Sequence, residues 1–359
     1  MSSSMPVSFG AMLSVRHGAC GRRTAGPDET STAGGTQVGP NVLLSDVSPD
    51  TPTELEPPVT RMPAVSLVAV PGKKERSLDM AREIERRGFS GIYCPSMGDA
   101  MGLSQGIAHV TSTIEIGTAI QPIYLRHSSD LATHAGTIQE ISGGRFRLGI
   151  GVSHGPVTRR LGVDTGRPLS DVRSYVEGLR AAERQAGALP PIVLASLRDK
   201  MVQLAVEVGD GSIWANASLS RMGHSLSLVP DERRDAGFFV GNMIPTVIDD
   251  DVEAARAVNR TTLTGYVALP NYRNYWKDAG YEEEMAAIED ALERKDREAI
   301  PGLMTDRWLD DCTLSGPVGR VRDGVEAWFD AGVTTPILVM SSTKGGQFVA
   351  IEELFAAYA

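Results

Sequence analysis

A serine and a histidine close the most sharply patterned stretch of this 359-residue chain, Ile141-Ser-Gly-Gly-Arg-Phe-Arg-Leu-Gly-Ile-Gly-Val-Ser-His-Gly155. Phe146, Leu148, Ile150 and Val152 alternate with Arg147, Gly149, Gly151 and Ser153, and a strand sends two such sets to opposite faces. One face is bulky and suits packing under helices. The other is nearly bare, which leaves room for something sizeable beside Gly149 and Gly151. Ser153 and His154 then fall at the C-terminal end of the strand, where parallel α/β folds gather their chemistry. A neutral imidazole there can polarise a carbonyl or shuttle a proton, and a protonated one can meet phosphate. His154 is therefore the catalytic candidate, against the plainer alternative of a solvated loop histidine.

The same residues spell two other patterns. Gly149-x-Gly151 followed by Gly155 nearly matches the dinucleotide fingerprint, but His154 holds the place of the third glycine and no acidic residue follows at the expected spacing on a strand. Gly151-Val-Ser-His-Gly155 matches the Gly-x-Ser-x-Gly elbow of hydrolases, as does Gly102-Leu-Ser-Gln-Gly106. A true elbow turns straight into a helix, whereas Pro156 and Val157 are expected to begin a loop. A nicotinamide dehydrogenase on an open sheet and a serine hydrolase using Ser153 stay as alternatives.

A second candidate lies in Pro191-Ile-Val-Leu-Ala-Ser-Leu-Arg-Asp-Lys-Met201. A strand here runs into a helix, whose first turn offers free amides and a favourable dipole for phosphate. Ser196 and Leu197 through their backbone, and Arg198 through its side chain, are the phosphate candidates, with Lys200 assisting. Alternatively, Ser196 or Asp199 caps the helix and binds nothing. Trp214 and Asn216 share a face of the next strand, as a wall for a ring system or as plain core.

The elements that must position these groups alternate regularly. Strands are expected at Ala64–Val70, Gly91–Ser96, Ile114–Ile120, Arg145–Val152, Ile192–Ser196, Ser212–Asn216, within 237–247 and at Pro336–Met340. Helical spacing of apolar residues fills most of the gaps, with Ser128 as an N-cap and a long helical stretch from Asp249 to Leu309 broken near Leu269–Asn271. About eight strands interleaved with helices suit an α/β fold, a (β/α)8 TIM-like barrel with insertions, over the runner-up, a doubly wound open sheet. Specificity is expected in the Val157–Pro168 loop and the Leu269–Gly280 insertion.

Composition bounds the function. A net charge of −10 disfavours a nucleic-acid or anionic-membrane partner. No apolar run approaches the roughly 18 residues of a membrane span. Three cysteines, far apart, suggest neither a disulfide framework nor a zinc site, and suit the cytoplasm. The histidines show no metal-ligand spacing, so no metal is expected. Residues 1–60, rich in Ser, Gly, Thr and Pro, read as a disordered leader, and residues 61–359 as the barrel domain. Met62, directly before the first strand, is the expected natural start, a reading that an intact mass of the native protein including residues 1–60 would refute.

The segment Ser142-Gly-Gly-Arg-Phe-Arg-Leu-Gly-Ile-Gly-Val-Ser-His154 resembles the central signature of the luciferase-like flavin and deazaflavin oxidoreductases. Arg86–Tyr93, Ile114–Ile120, Pro191–Ser196 and Ala331–Val339 match other strands of that family in order, over roughly Met62 to the C-terminus. The resemblance implies a barrel that binds coenzyme F420 or FMN, leaning toward the deazaflavin. The chemistry implied is hydride transfer to or from a small organic substrate, or monooxygenation with FMN. A non-catalytic barrel that carries flavin is a further alternative. It also implies a bulge with a cis peptide at Ala119–Ile120, pressed against the ring, and hydrogen bonds from Thr118 and Gln121. Gly151, Ser153 and His154 would lie beside the cofactor, and Ala195, Ser196, Leu197 and Arg198 would hold its polar end. Tyr124, Arg126 and His127 would lie over the substrate, unless Arg126 pairs with a surface acid. Relatives commonly pair as homodimers. Many deazaflavin-dependent relatives end the second strand with an acid and a histidine. Ser96, by its place a cofactor-binding candidate, and Met97 stand there instead, which argues against alcohol oxidation in the manner of those relatives.

Overall fold

Short apolar runs joined through amphipathic helices can only lie parallel, because each helix carries the chain back across the sheet. The computed structural model describes residues 61–160 and 162–359, apart from the side chain of Pro156; the leader expected over residues 1–60 lies outside the described residues. The strands are β1 (Ala64–Ser66), β2 (Gly91–Cys94), β3 (Glu115–Thr118), β4 (Gln121–Pro122), β5 (Phe146–Gly151), β6 (Ile192–Ala195), β7 (Gly211–Ala215), β8 (Phe239–Ile248), β9 (Leu314–Gly316) and β10 (Thr335–Ser341).

All the pairings are parallel, and the order β10-β1-β2-β3-β5-β6-β7-β8 closes because β10 also pairs β8, from Thr335↔Gly241 to Ser341↔Val247. The fold is a (β/α)8 barrel, and the open sheet is overturned by that closure. β4 continues β3: Gly117 faces Arg147, but Gln121 faces Ile150, so the β3–β4 segment carries one extra residue, a bulge.

The main core lies between strands and helices. Lys74–Arg86 buries Ser77, Met80, Ala81 and Ile84, one face of a helix. Ile92, Ile116, Phe146, Leu148, Ile150 and Leu194 meet such faces from the sheet, each contributing about 1.5–3 kcal/mol through burial. Cys94 lies in this layer, and burial pushes its thiol up to about 12. His127, not Ser128, holds the N-cap of Ser128–Ile141; its Nδ1 accepts from the Ser129 N–H at 3.3 Å.

A second, smaller layer fills the barrel interior. Ala64, Tyr93, Val193, Ile213, Phe239 and Ile337 pack there. At the N-terminal end Arg147 binds Glu115 at 2.7 Å and stands 5.1 Å over the Phe239 ring. Glycines make space for the two aromatic rings. A Cβ on Gly117 would lie 2.5 Å from Tyr93, and one on Gly241 would lie 2.7 Å from Phe239.

Between β8 and β9 the chain leaves the barrel as helices Val252–Val267, Pro270–Asp278, Glu282–Glu293, Ile300–Leu303 and Asp306–Cys312. The break falls at Ala268–Leu269, near the expected place, with Pro270 restarting the helix at its first position. Leu269–Gly280 is thus largely helix rather than loop. Among the described residues no helix is long and apolar enough to cross a membrane.

Candidate active site at the C-terminal mouth

The bare face of β5 is covered, by the Thr118 backbone at Gly149 and by the Ala195 and Ile120 side chains at Gly151. A Cβ on Gly149 would sit 2.0 Å from the Thr118 carbonyl oxygen, and one on Gly151 would sit 2.7 Å from Ala195 Cβ and 3.2 Å from Ile120 Cδ1. The β3–β4 bulge, with its cis Ala119–Ile120 peptide, occupies the room those glycines leave. Thr118 Oγ1 donates to the Gly149 carbonyl at 2.7 Å, which binds the bulge to β5. The expected space for a ring beside Gly149 and Gly151 is therefore corrected: the glycines admit Ile120 and the Thr118 carbonyl, and Gly151 lies beneath them.

Space opens one level higher. Inward-facing Tyr93, Val193, Ile213, Phe239 and Ile337 are buried, whereas Ile120, Ala195, Ala215, Met243 and Val339, nearer the C-terminal ends of their strands, are partly exposed. The interior ends as a shallow apolar bowl, floored by two alanines, the flexible Met243 and the branched Ile120 and Val339.

Polar groups rim this bowl. Ser153 and Asn216, just past β5 and β7, take φ of 62° and 56°. That left-handed region costs most non-glycine residues about 1–2 kcal/mol, and asparagine visits it most readily. Asn216 is held firmly. Its N–H donates to Met243 O at 3.0 Å and its carbonyl accepts from Trp276 Nε1 at 3.3 Å. Its side-chain Nδ2 is buried with no hydrogen-bond partner of ordinary geometry, although the Tyr266 hydroxyl is near.

His154 is half-buried, its ring 5.8 Å from that of Tyr266 and 5.9 Å from that of Tyr272. Burial holds its pKa below the usual 6.5, so the ring is neutral at pH 7 and suits a proton acceptor or a hydrogen-bond partner. Neither tyrosine carries a local signal in the sequence; both lie more than a hundred positions from His154 and reach it only because the insertion folds back over the mouth.

The remaining candidates divide. Gln121 is buried on β4 against Ile150, and Ser96 is exposed beyond β2. Met97 is 63% exposed, and Asp99 is occupied in capping Ala100–Val110 through the Gly102 N–H at 3.0 Å. Ser196 turns away from the bowl. Its N–H donates to Ile213 O at 2.9 Å and its hydroxyl lies 3.1 Å from that of Ser212 and 3.2 Å from Leu194 O, so neither group is free for phosphate. Leu197 and Arg198 keep N–H groups without an acceptor among the described residues, at the start of the helix Asp199–Val208. The Arg198 guanidinium meets Asp278 at 3.1 Å. Neither Ser196 nor Asp199 caps that helix; Asp199 instead binds His224 at 3.1 Å. Trp214 belongs to the outer core, not to the bowl. Tyr124 donates to Asp171 at 2.6 Å, and Arg126 lies 3.9 Å from Asp130 and 4.0 Å from Asp99 while donating to His134 Nδ1 at 2.9 Å.

One expectation about Ser153 is reversed. A helix, Gly155–Arg160, follows directly where a loop was expected. The strand–serine–helix order of an elbow is present, but among the described residues no histidine is hydrogen-bonded to Ser153, and the adjacent His154 faces two tyrosines. The described residues also hold no group of three metal-ligating side chains.

A closed parallel barrel whose unspent polar groups gather at the C-terminal rim has the build of a barrel enzyme. The chain belongs to the luciferase-like monooxygenase family, whose model matches residues 62–335. It is similar to the 5,10-methylenetetrahydromethanopterin reductase of Archaeoglobus fulgidus, with 28% identity over 64% of this chain and 77% of that protein. The fold is shared with the coenzyme F420-dependent tetrahydromethanopterin reductase of Methanopyrus kandleri, at TM-score 0.62 and 18% identity over 77% and 92% of the two chains. It is shared too with the FMN-bound oxygenating constituent of 3,6-diketocamphane monooxygenase of Pseudomonas putida, at TM-score 0.53 and 16% identity over 77% and 92%. The chain is an oxidoreductase of the luciferase-like type, a family of F420-dependent reductases and FMN-dependent monooxygenases.

Proposed function

We propose that this chain binds coenzyme F420 or FMN over the apolar bowl and uses it on a small organic substrate, by hydride transfer or, with FMN, by monooxygenation. The observation that carries this reading is the change along the barrel interior, from buried side chains below to Ile120, Ala195, Ala215, Met243 and Val339 partly exposed above. Such a floor suits one face of a flat tricyclic ring. The polar groups suit its edges: Gln121 and the unspent Asn216 amide for ring heteroatoms, Ser153 and His154 beside them, and the Leu197 and Arg198 N–H groups at a helix start for phosphate. Ala195 and Ile120 would lie under the ring. Bound there, the group would supply the two-electron chemistry, and the protein its position and electrostatics. A neutral His154 would take or return the proton that accompanies reaction at the substrate.

The deazaflavin is favoured over FMN by the name of the Methanopyrus relative, a coenzyme F420-dependent reductase. Ser96 and Met97 support a reductive role rather than alcohol oxidation. Residues 61–359 act as one catalytic domain that pairs as a homodimer. The free, buried Cys94 and Cys312 suit a reducing cytoplasm. Purified protein titrated in parallel with F420 and with FMN, followed by absorption and fluorescence, tests the reading; binding of neither would sink it. A nicotinamide cofactor bound without flavin affinity would point to a dehydrogenase, fluorophosphonate labelling of Ser153 to a hydrolase, and tight flavin binding without turnover to a carrier.

A further inference from the structure

We infer that Tyr266, carried on the insertion between β8 and β9, is a positioning residue for His154: its ring, with that of Tyr272, holds the imidazole in place and shuts water away from it. The inference rests on the reading of His154 as part of the active site, but its test does not need the cofactor. His154 makes no side-chain hydrogen bond among the described residues, so aromatic packing is what orients it. The two tyrosine rings stand edge-on to the imidazole, at 89° and 60°, and 5.1 Å from each other. Such edge-to-face contacts are each worth about 0.5–1.5 kcal/mol beyond area burial.

The two tyrosines differ in how they are held. Tyr272 is 6% exposed and backed by a stack, with Trp276 at 5.4 Å and Trp308 a further 4.8 Å on. Trp276 is in turn bonded to Asn216 O, so this side of the clamp is built into the core. Tyr266 is only partly buried and sits in the last turn of Val252–Val267, beside the Ala268–Leu269 break. It is the more exposed side of the clamp. Among the described residues the imidazole packs against the two phenols, Arg159 lies close to Gly155 on the following helix, and no carboxylate is paired with the ring. Removing the Tyr266 ring therefore admits water without introducing a charge.

The test is the titration of His154, followed by nitrogen-detected NMR on histidine-labelled protein without cofactor and assigned by the loss of one resonance in His154→Gln. Wild type is expected to titrate below about 6.5, and Tyr266→Phe likewise, because its ring is retained. Tyr266→Ala is expected to move the midpoint up toward 6.5. Tyr266→Leu, which keeps apolar bulk without a ring, serves if the alanine variant does not fold, and is expected to shift it the same way by less. In the loaded protein the pH profile of turnover should move with the NMR midpoint. A midpoint unchanged by both Tyr266→Ala and Tyr266→Leu, or a wild-type His154 that already titrates like an exposed histidine, would overturn the inference. Failure of wild type to bind F420 or FMN would instead count against the proposed function and leave the NMR result to stand alone.

Discussion

The two ends of one barrel are built in opposite ways. At the N-terminal end Tyr93, Phe239 and the Arg147–Glu115 pair fill the interior, and Gly117 on the strand beside Tyr93 and Gly241 on Phe239's own strand make way for the aromatic rings. At the C-terminal end Val193 and Ile213 give way to Ala195 and Ala215, beside partly exposed Ile120, Met243 and Val339, and the Asn216 amide at the rim lacks a hydrogen-bond partner among the described residues. The lesson is one of division of labour. Packing at the floor sets the barrel's shape, and that rigidity lets the mouth leave an amide unpaired and two residues in left-handed backbone.

That contrast can be broken or sharpened by experiment. The largest effect is expected from Phe239→Ala, which empties the floor and should cost about 3–5 kcal/mol of stability by denaturant titration. If the ends are separable, the folded fraction should still bind F420 or FMN within about twofold of wild type. His154→Ala is the reverse case, expected to lower turnover by roughly 10²-fold or more while costing only about 1–2 kcal/mol of stability through its two lost edge contacts. Equal losses in both quantities would mean that His154 is structural.

Gly149→Ala joins the two regions. Its Cβ would meet the Thr118 carbonyl at 2.0 Å, so the bulge must shift, at an expected cost of about 1–3 kcal/mol. Calorimetry would show that loss, and weaker cofactor binding should accompany it. The smallest effect is expected from pH. His154 and His134 are both held below their ordinary value, mainly by burial. Each therefore contributes stability that is full above about pH 6.5 and is lost as pH falls through its depressed folded value. The unfolding midpoint of His154→Gln should fall less steeply than that of wild type between pH 7 and 5.

Much of this architecture was legible because each barrel strand is short, apolar and followed by a helix with one apolar face. Closure was not: no residue marks the pairing of β10 with both β1 and β8. Which face of a strand looks inward was equally hidden, since strands buried on both sides carry no polar face. Trp214, which read either as a wall for a ring or as core, lies in the outer core, and the Ser196 N–H that read as a phosphate donor is spent on Ile213 O. Pro156 read as the start of a loop, although proline favours the first turn of a helix as well. β9 is three residues long and follows a helix after a single residue, so no separate apolar run marks it. The cis Ala119–Ile120 site, by contrast, followed from the family resemblance, and the broken helix near Leu269 from its proline.

β9 also has a bearing on how this enzyme could be re-engineered. Ile248 and Gly316 are direct partners in register, so the 67 residues between them leave and rejoin the sheet at neighbouring points. The barrel closes without that segment, through β8 and β10. The excursion is thus an appendage that shares its core with the frame, through Trp276 on Asn216 O and Tyr275 on the Ser218 N–H, so exchanging it between homologues to retune substrate choice means carrying those contacts with it.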